Sequence, residues 1–369
     1  MKSNDIISLA FRNDTVTYMG QTHPTGSIFC RVLNIPGDVL TQINEACCRI
    51  SAVNTMIKTM VANESEMADA CAAAHELLRI LSGYDPFTFF ADEHYHSRID
   101  QVFTCEAISG IMAYQTAILT GRFNDALADE LKDTLVLCRL APVLANIGDA
   151  LTTIHDHVLP FIEQLDGAES DRTPEGYAAI FAKAFPADFE IGDGTSAWLS
   201  LTNVSMQYTA EHDEVGAGPF ITKVMNFVTM GGLLRADLFE GLAIGHAPKR
   251  CPICKRWFLT TDARHTKYCG NVCPGDPHGL TCRQIGNRMG RAQRELSDDH
   301  PIKAVYETRM NTIRQSVKRN TLDKDLAARM KKLGRDKLEK ALSDVHYAQT
   351  AYQAEMEQDA LRSEAEGML

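Results

Sequence analysis

The sequence predicts a mainly α-helical protein with a short β-rich N-terminal segment, a small treble-clef-like zinc finger and C-terminal helices. Three observations predict it. Period-2 alternation is confined to about the first 33 residues, helical periodicity runs through most of the rest, and five of the eleven cysteines fall between residues 251 and 282. With 369 residues, 45% hydrophobic and 23% charged, the chain has room for two or three domains and is neither fibrous nor disordered in composition.

Taken in order, residues 1–35 read as a β-rich segment. ISLAFR and TVTYMG flank Asn13-Asp14 as a hairpin, and GSIFCRVL is a candidate third strand. Residues 36–245 read as an acidic helical domain, with NESE (63–66) capping or separating its first two helices. Helical periodicity returns through 91–120, 124–146 and 148–165, and 196–245 reads as helices separated by AEHDEVGAGP. Residues 246–297 form the finger with its basic helix, and 298–369 a helical region that is basic and then acidic. The start lacks the layout of a signal peptide. No eighteen apolar residues run together, and Arg139 and Pro142 interrupt LVLCRLAPVLANIG, so a cytoplasmic protein without a membrane span or membrane partner is expected.

Charge divides the chain. Residues 1–248 carry 14 Lys/Arg against 32 Asp/Glu, residues 249–340 carry 22 against 10, and the tail carries 1 against 6. An acidic body bearing a basic module points to a separate partner for that module, or to mutual attraction of the two.

Six cysteines (Cys30, Cys47, Cys48, Cys71, Cys105, Cys138) are scattered through apolar text, where cysteine acts as a small hydrophobe. The other five crowd together, and in a reducing compartment such crowding indicates metal. Cys251-Pro-Ile-Cys254 is a tight turn that lets two thiolates reach one ion. A second pair arriving from a distance completes a tetrahedron with Zn–S bonds of about 2.3 Å. Cys269 is expected to end a short hairpin and Cys282 to open a helix, whose N-terminal amides favour a thiolate. The preferred ligands are Cys251, Cys254, Cys269 and Cys282, with Cys273 as substitute for the fourth; Phe258 is expected to pack behind the knuckle. A redox role for the CxxC is disfavoured because it does not lead from a strand into a helix of a βαβ unit.

The segment KRCPICKRWFLTTDARHTKYCGNVCPGDPHGLTCRQIGNR resembles the C-terminal zinc module of a family of uncharacterised bacterial proteins, often from Firmicutes, patterned KRCxxCxxxF, then YC, then TCRxxG. It is more distantly similar to the CGNR-type zinc fingers of stress-induced transcription regulators, in which a basic helix follows the cysteines. Here Gly286-Asn287-Arg288 follows the last cysteine after a spacer instead of abutting it. The resemblance implies the finger and assigns no activity.

In the helix after Cys282, Arg283, Arg291 and Arg294 line one side with Asn287, and Arg288 lies beside them, opposite Ile285, Met289, Ala292 and Leu296. A rigid row of guanidinium groups suits phosphate contacts with DNA or RNA. The competing reading is a solvated face, or one docked on protein. Glu93-His94-Tyr95-His96 and His155-Asp156-His157 each place two histidines two apart, which a helix directs to different faces. No phosphate loop, nucleophile elbow or HExxH is visible, so no catalytic residues are assigned. The expectation is a zinc-binding protein that is nucleic-acid-binding or regulatory. The alternatives are a protein-interaction scaffold with a structural finger, and an enzyme whose site lies in the N-terminal domain.

Overall fold

The computed structural model describes residues 7–167, 172–185, 204–211, 219–261, 266–295 and 300–367. Backbone contacts divide the chain into two compact units. The first is Met1–Asp166, Ser170–Arg250 and Arg256–Thr266; the second is Gly167–Glu169, Cys251–Lys255 and Lys267–Leu369.

In the first unit, strands β1 (Ser8–Arg12), β2 (Thr15–Tyr18) and β3 (Gln21–Pro24) are followed by α1 (Ser27–Val32), α2 (Gly37–Thr59) and α3 (Glu64–Leu81). Helices α4 (Glu93–Val102), α5 (Cys105–Leu119), α6 (Asp125–Glu130), α7 (Lys132–Thr153), α8 (Leu159–Asp166) and α9 (Pro174–Ala184) come next. Strands β4 (Val204–Glu211) and β5 (Phe220–Phe227), helix α10 (Met230–Ala243) and the hairpin β6 (Ala247–Arg250)–β7 (Trp257–Thr260) complete it. Asn13, at φ 53°, turns β1 into β2, and Met19 and Gly20, at φ 50° and 77°, turn β2 into β3.

The sheet is antiparallel in the order β3-β2-β1-β5-β4, with Ala10 opposite Val224 and Phe11 opposite Val16. Two sequence expectations change here. The apolar run Ser27–Val32 is helical, and β3 is the polar segment before it. Residues 204–211 and 220–227, read as belonging to the helices on either side of AEHDEVGAGP, are two strands that complete the sheet. Short apolar runs do not reveal their period. What decides Ser27–Val32 is a distant carboxylate: Asp237 of α10 accepts the Gly26 and Phe29 amide protons at 2.8 and 2.9 Å, capping α1.

Helix α2 packs against α3 and α7 through Leu40, Ile43, Cys47, Ile50 and Val53, all buried at helical spacing. The NESE cap is present: Asn63 accepts from the Ser65 and Glu66 amides and donates to the Glu66 side chain. Residues 132–166 form one continuous helical rod through a π-turn at 154–158, and Pro142 lies inside it instead of breaking it. By length and hydropathy the rod passes for a membrane span, but 44% of its most apolar window is buried. Leu137, Leu144, Ile147 and Leu151 are core residues of this unit.

The second unit holds α11 (Cys282–Glu295), α12 (Pro301–Lys318), α13 (Lys324–Ser343), α14 (Val345–Thr350), α15 (Tyr352–Glu355) and α16 (Gln358–Glu366). It has its own core, in which Met310, Ile313, Met330, Leu338, Tyr352 and Met356 are buried together. Lys337 of α13 holds this helical end by pairing with Glu355 and Glu364 at 2.7 and 2.8 Å.

Candidate metal centre

The loop between β6 and β7 carries Cys251 and Cys254. The Lys255 amide donates to the Cys251 carbonyl at 2.9 Å, with Lys255 in the left-handed region at φ 62°, so the four residues close into a knuckle. The hairpin expected to end at Cys269 instead flanks the first cysteine pair and ends at Thr260. Both of its strands are tied down. The Arg250 amide donates to Asp166 at 3.1 Å, and Asn34 exchanges hydrogen bonds of 2.7 and 2.9 Å with the backbone of Trp257. Trp257 is buried in the core of the first unit, whereas Phe258, expected behind the knuckle, is half-buried on β7.

The second pair comes from a looped segment closed at its base. The Cys282 amide donates to the Asn271 carbonyl and the Cys273 amide to the Leu280 carbonyl, both at 2.9 Å, with a β-bridge between Val272 and Thr281. Asp276 holds the tip by accepting the His278 and Leu280 amides. Closure at the base sets Cys269 and Cys282 side by side. Cys273 sits inside the loop, its thiol 3.8 Å from the neighbouring Pro274 carbonyl.

Helix α11 starts at a capping box. The Thr281 hydroxyl accepts the Gln284 amide at 3.2 Å, and the Gln284 side chain accepts the Thr281 amide at 2.8 Å. Cys282 therefore occupies the first helical position. One turn later comes Gly286, buried against the Tyr268 ring so closely that a Cβ there would stand 2.5 Å from Cε2 and 2.6 Å from Cε1. The T-x-x-Q box was legible in the sequence; the Tyr268–Gly286 contact was not.

The sulfurs of Cys251, Cys254, Cys269 and Cys282 lie within 4.8 Å of one another, and those of Cys254 and Cys269 are 3.6 Å apart. A tetrahedron of thiolates around zinc has edges of about 3.8 Å, so the four could hold a metal ion with little movement. Cys251, Cys269 and Cys282 are buried. Burial pushes the Cys251 thiol up, but amides of Cys254, Cys269 and Ile253 aimed at it outweigh this and bring it down to about 7. Cys269 is held up to about 11, by burial first and then by the neighbouring sulfurs, and Cys282 is raised for the same reasons. Four thiolates cannot share this space by themselves, and a divalent cation removes the conflict. All eleven cysteines are free.

In the same unit, the charge of Lys255 is felt by both Asp336 and Glu339 of α13, and that of Lys267 by Glu339. Burial, with repulsion from Asp336 in the case of Glu339, raises both carboxyls above their usual range; Lys332 and Arg335 for Asp336, and Arg335 for Glu339, oppose that rise first, and the finger lysines follow. Of the arginines singled out in the sequence, Arg283 and Arg288 are exposed on α11. Arg291 and Arg294 lie further along the helix, where the side chains are outside the described residues, as is Leu296.

Residues 200–368 match a family of unknown function (DUF6076). The matched stretch contains all five clustered cysteines and α11 to α16. No curated protein and no solved structure matches the chain.

Proposed function

We propose that this is a zinc-binding protein whose four-cysteine finger fixes a basic helix for contact with nucleic acid in a reducing, cytoplasmic setting. The observation that carries the reading is the placement of Cys282 at the first turn of α11, because one residue is then both metal ligand and helix start. The sulfurs hold that end of the helix, and Arg283, Asn287 and Arg288 are left exposed beyond it. Four soft thiolates select zinc over hard cations. The exposed guanidinium groups offer planar forks to phosphate oxygens.

The test is retention on heparin and on random duplex DNA across a salt series. Binding is expected at low salt, and Arg283→Glu with Arg288→Glu should weaken it and flatten the log–log salt dependence by about 2. No retention at low salt by the zinc-loaded protein overturns the nucleic-acid reading.

A second reading has an observation of its own. Within the same unit, Asp336 and Glu339 attract the finger lysine Lys255, and Glu339 attracts Lys267 as well. Part of the basic charge is thus internally compensated, as in a structural finger that serves a protein-interaction scaffold. For that reading the arginine variants bind metal and fold normally, and the wild type shows no salt-sensitive retention.

A further inference from the structure

The first unit brings together a second group of side chains that could hold a metal ion, separate from the four cysteines. Cys71 and His75 are one turn apart on α3, and His96 and Asp100 are one turn apart on α4, which packs against α3. Spacing of i, i+4 puts both members of each pair on one helical stripe. The His75 Nε2 atom lies 2.7 Å from Asp100 Oδ1, and the Cys71 sulfur lies 3.9 Å from the same oxygen. One donor atom each from Cys71, His75 and Asp100 falls within a 4.8 Å sphere of mutual distances. On its other side, His75 Nδ1 is 2.9 Å from His96 Nδ1, with the two rings stacked 4° from parallel.

We propose that Cys71, His75 and Asp100 form a second divalent transition-metal site, with His96 as the positioning residue behind His75. One thiolate sulfur, one imidazole nitrogen and one carboxylate oxygen are a donor set that suits zinc and its neighbours in the first transition row and does not suit calcium or magnesium. Ligand–ligand separations in a tetrahedral zinc site run from about 3.3 Å for N/O pairs to 3.8 Å for sulfur pairs, so the observed 2.7 and 3.9 Å require only rotamer adjustments.

The tautomers are consistent with this. With Nε2 bound to the ion, His75 carries its proton on Nδ1, and His96 Nδ1 accepts it, the outer partner that metal-ligating histidines usually have. Loading releases the Cys71 thiol proton and any proton held between His75 and Asp100. Three protein ligands leave a fourth position. Asp100 is 65% exposed and the His75 side chain 31%, so water or a small solute can reach it. The four-cysteine centre has no such opening, with three of its four ligands buried.

The experiment uses the full-length, tag-free protein, stripped with a chelator and titrated with Co²⁺ alone, and separately with Zn²⁺ followed by elemental analysis. Two classes of metal are expected. One has sulfur-to-cobalt charge transfer from four thiolates. The other has about a quarter of that intensity per ion, since a single sulfur is bound. Asp100→Asn and His75→Ala should each remove the weaker-absorbing class and keep the other, and Cys254→Ser with Cys282→Ser should do the reverse. His96→Gln should weaken the second class about 10- to 100-fold without abolishing it. Because Asp100 is largely exposed, its variant reads the site even if His75→Ala impairs folding. A single equivalent of metal, lost on changing Cys282, overturns the proposal and leaves a His–His–Asp hydrogen-bond chain. A second equivalent that survives Asp100→Asn combined with Cys71→Ala also overturns it. The first result leaves the four-cysteine reading standing, and the second does not touch it.

Discussion

Replacing Gly286 by alanine tests how the second cysteine pair is held. On an ordinary helix this change gains about 0.5–1 kcal/mol, because alanine loses less backbone entropy on folding. At Gly286 the added methyl would lie 2.5 Å from Cε2 of Tyr268 and 2.6 Å from Cε1, where ordinary contact begins at 3.4 Å. The ring must withdraw by roughly 1 Å, and overpacking of that kind costs about 1–3 kcal/mol. Tyr268 immediately precedes Cys269, one of the four sulfurs, so ring displacement also pulls on a ligand. The expected net effect is a loss of about 1–2 kcal/mol, together with faster surrender of metal to a chelator. The assay is denaturant unfolding of the metal-loaded protein alongside a colorimetric chelator competition. With Tyr268→Ala already in place, the same substitution should become stabilising by about 0.5–1 kcal/mol, a sign reversal that a double-mutant cycle isolates. If Gly286→Ala alone stabilises the protein and leaves metal release unchanged, the reasoning fails.

Cys282→Ser should abolish metal retention by the finger, whereas Cys273→Ser should keep it, as read by elemental analysis; equal losses would mean that the loop rearranges to use both sulfurs. Asp237→Ala leaves the buried amides of Gly26 and Phe29 without an acceptor and should cost about 1–3 kcal/mol for each, measured by chemical denaturation. Asp237 also predicts a pH dependence. Burial raises its carboxyl to about 6, against the opposing pull of the amides, so the folded state holds this proton more tightly than the unfolded chain does. Its contribution is complete below about pH 4 and is lost as pH rises through about 6, a fall of about 3 kcal/mol in unfolding free energy; Asp237→Asn should remove that slope, and an unchanged slope would refute the assignment. Gly241→Ala drives a Cβ to 3.0 Å from the Gly26 backbone, which has no flexible end to yield, so a melting temperature several degrees lower is expected.

How much was legible depended on how local each signal is. The finger was readable because a CxxC turn places two ligands within four residues; the capping box of Thr281 and Gln284 also marked the helix that Cys282 opens, a signal the sequence reading did not use. The N-terminal hairpin was readable from alternation around Asn13-Asp14. Strands β4 and β5 were not, since TKVMNF fits either period and becomes a strand by pairing with β1. The Cys71–His75 and His96–Asp100 stripes were present as i, i+4 pairs. The sequence reading instead weighed His94 against His96, two apart on one helix.

By itself, then, the sequence determined the crowding of five cysteines into one metal-binding segment, the helical class and the uneven charge, because each rests on residue types at short spacings. Only the tertiary structure decided that Ser27–Val32 is a helix, which of Cys273 and Cys282 joins the other sulfurs, and that two helices present a histidine, a cysteine and an aspartate to one another. Those outcomes depend on contacts between residues far apart in the chain, such as Asp237 with Gly26, which local periodicity does not encode.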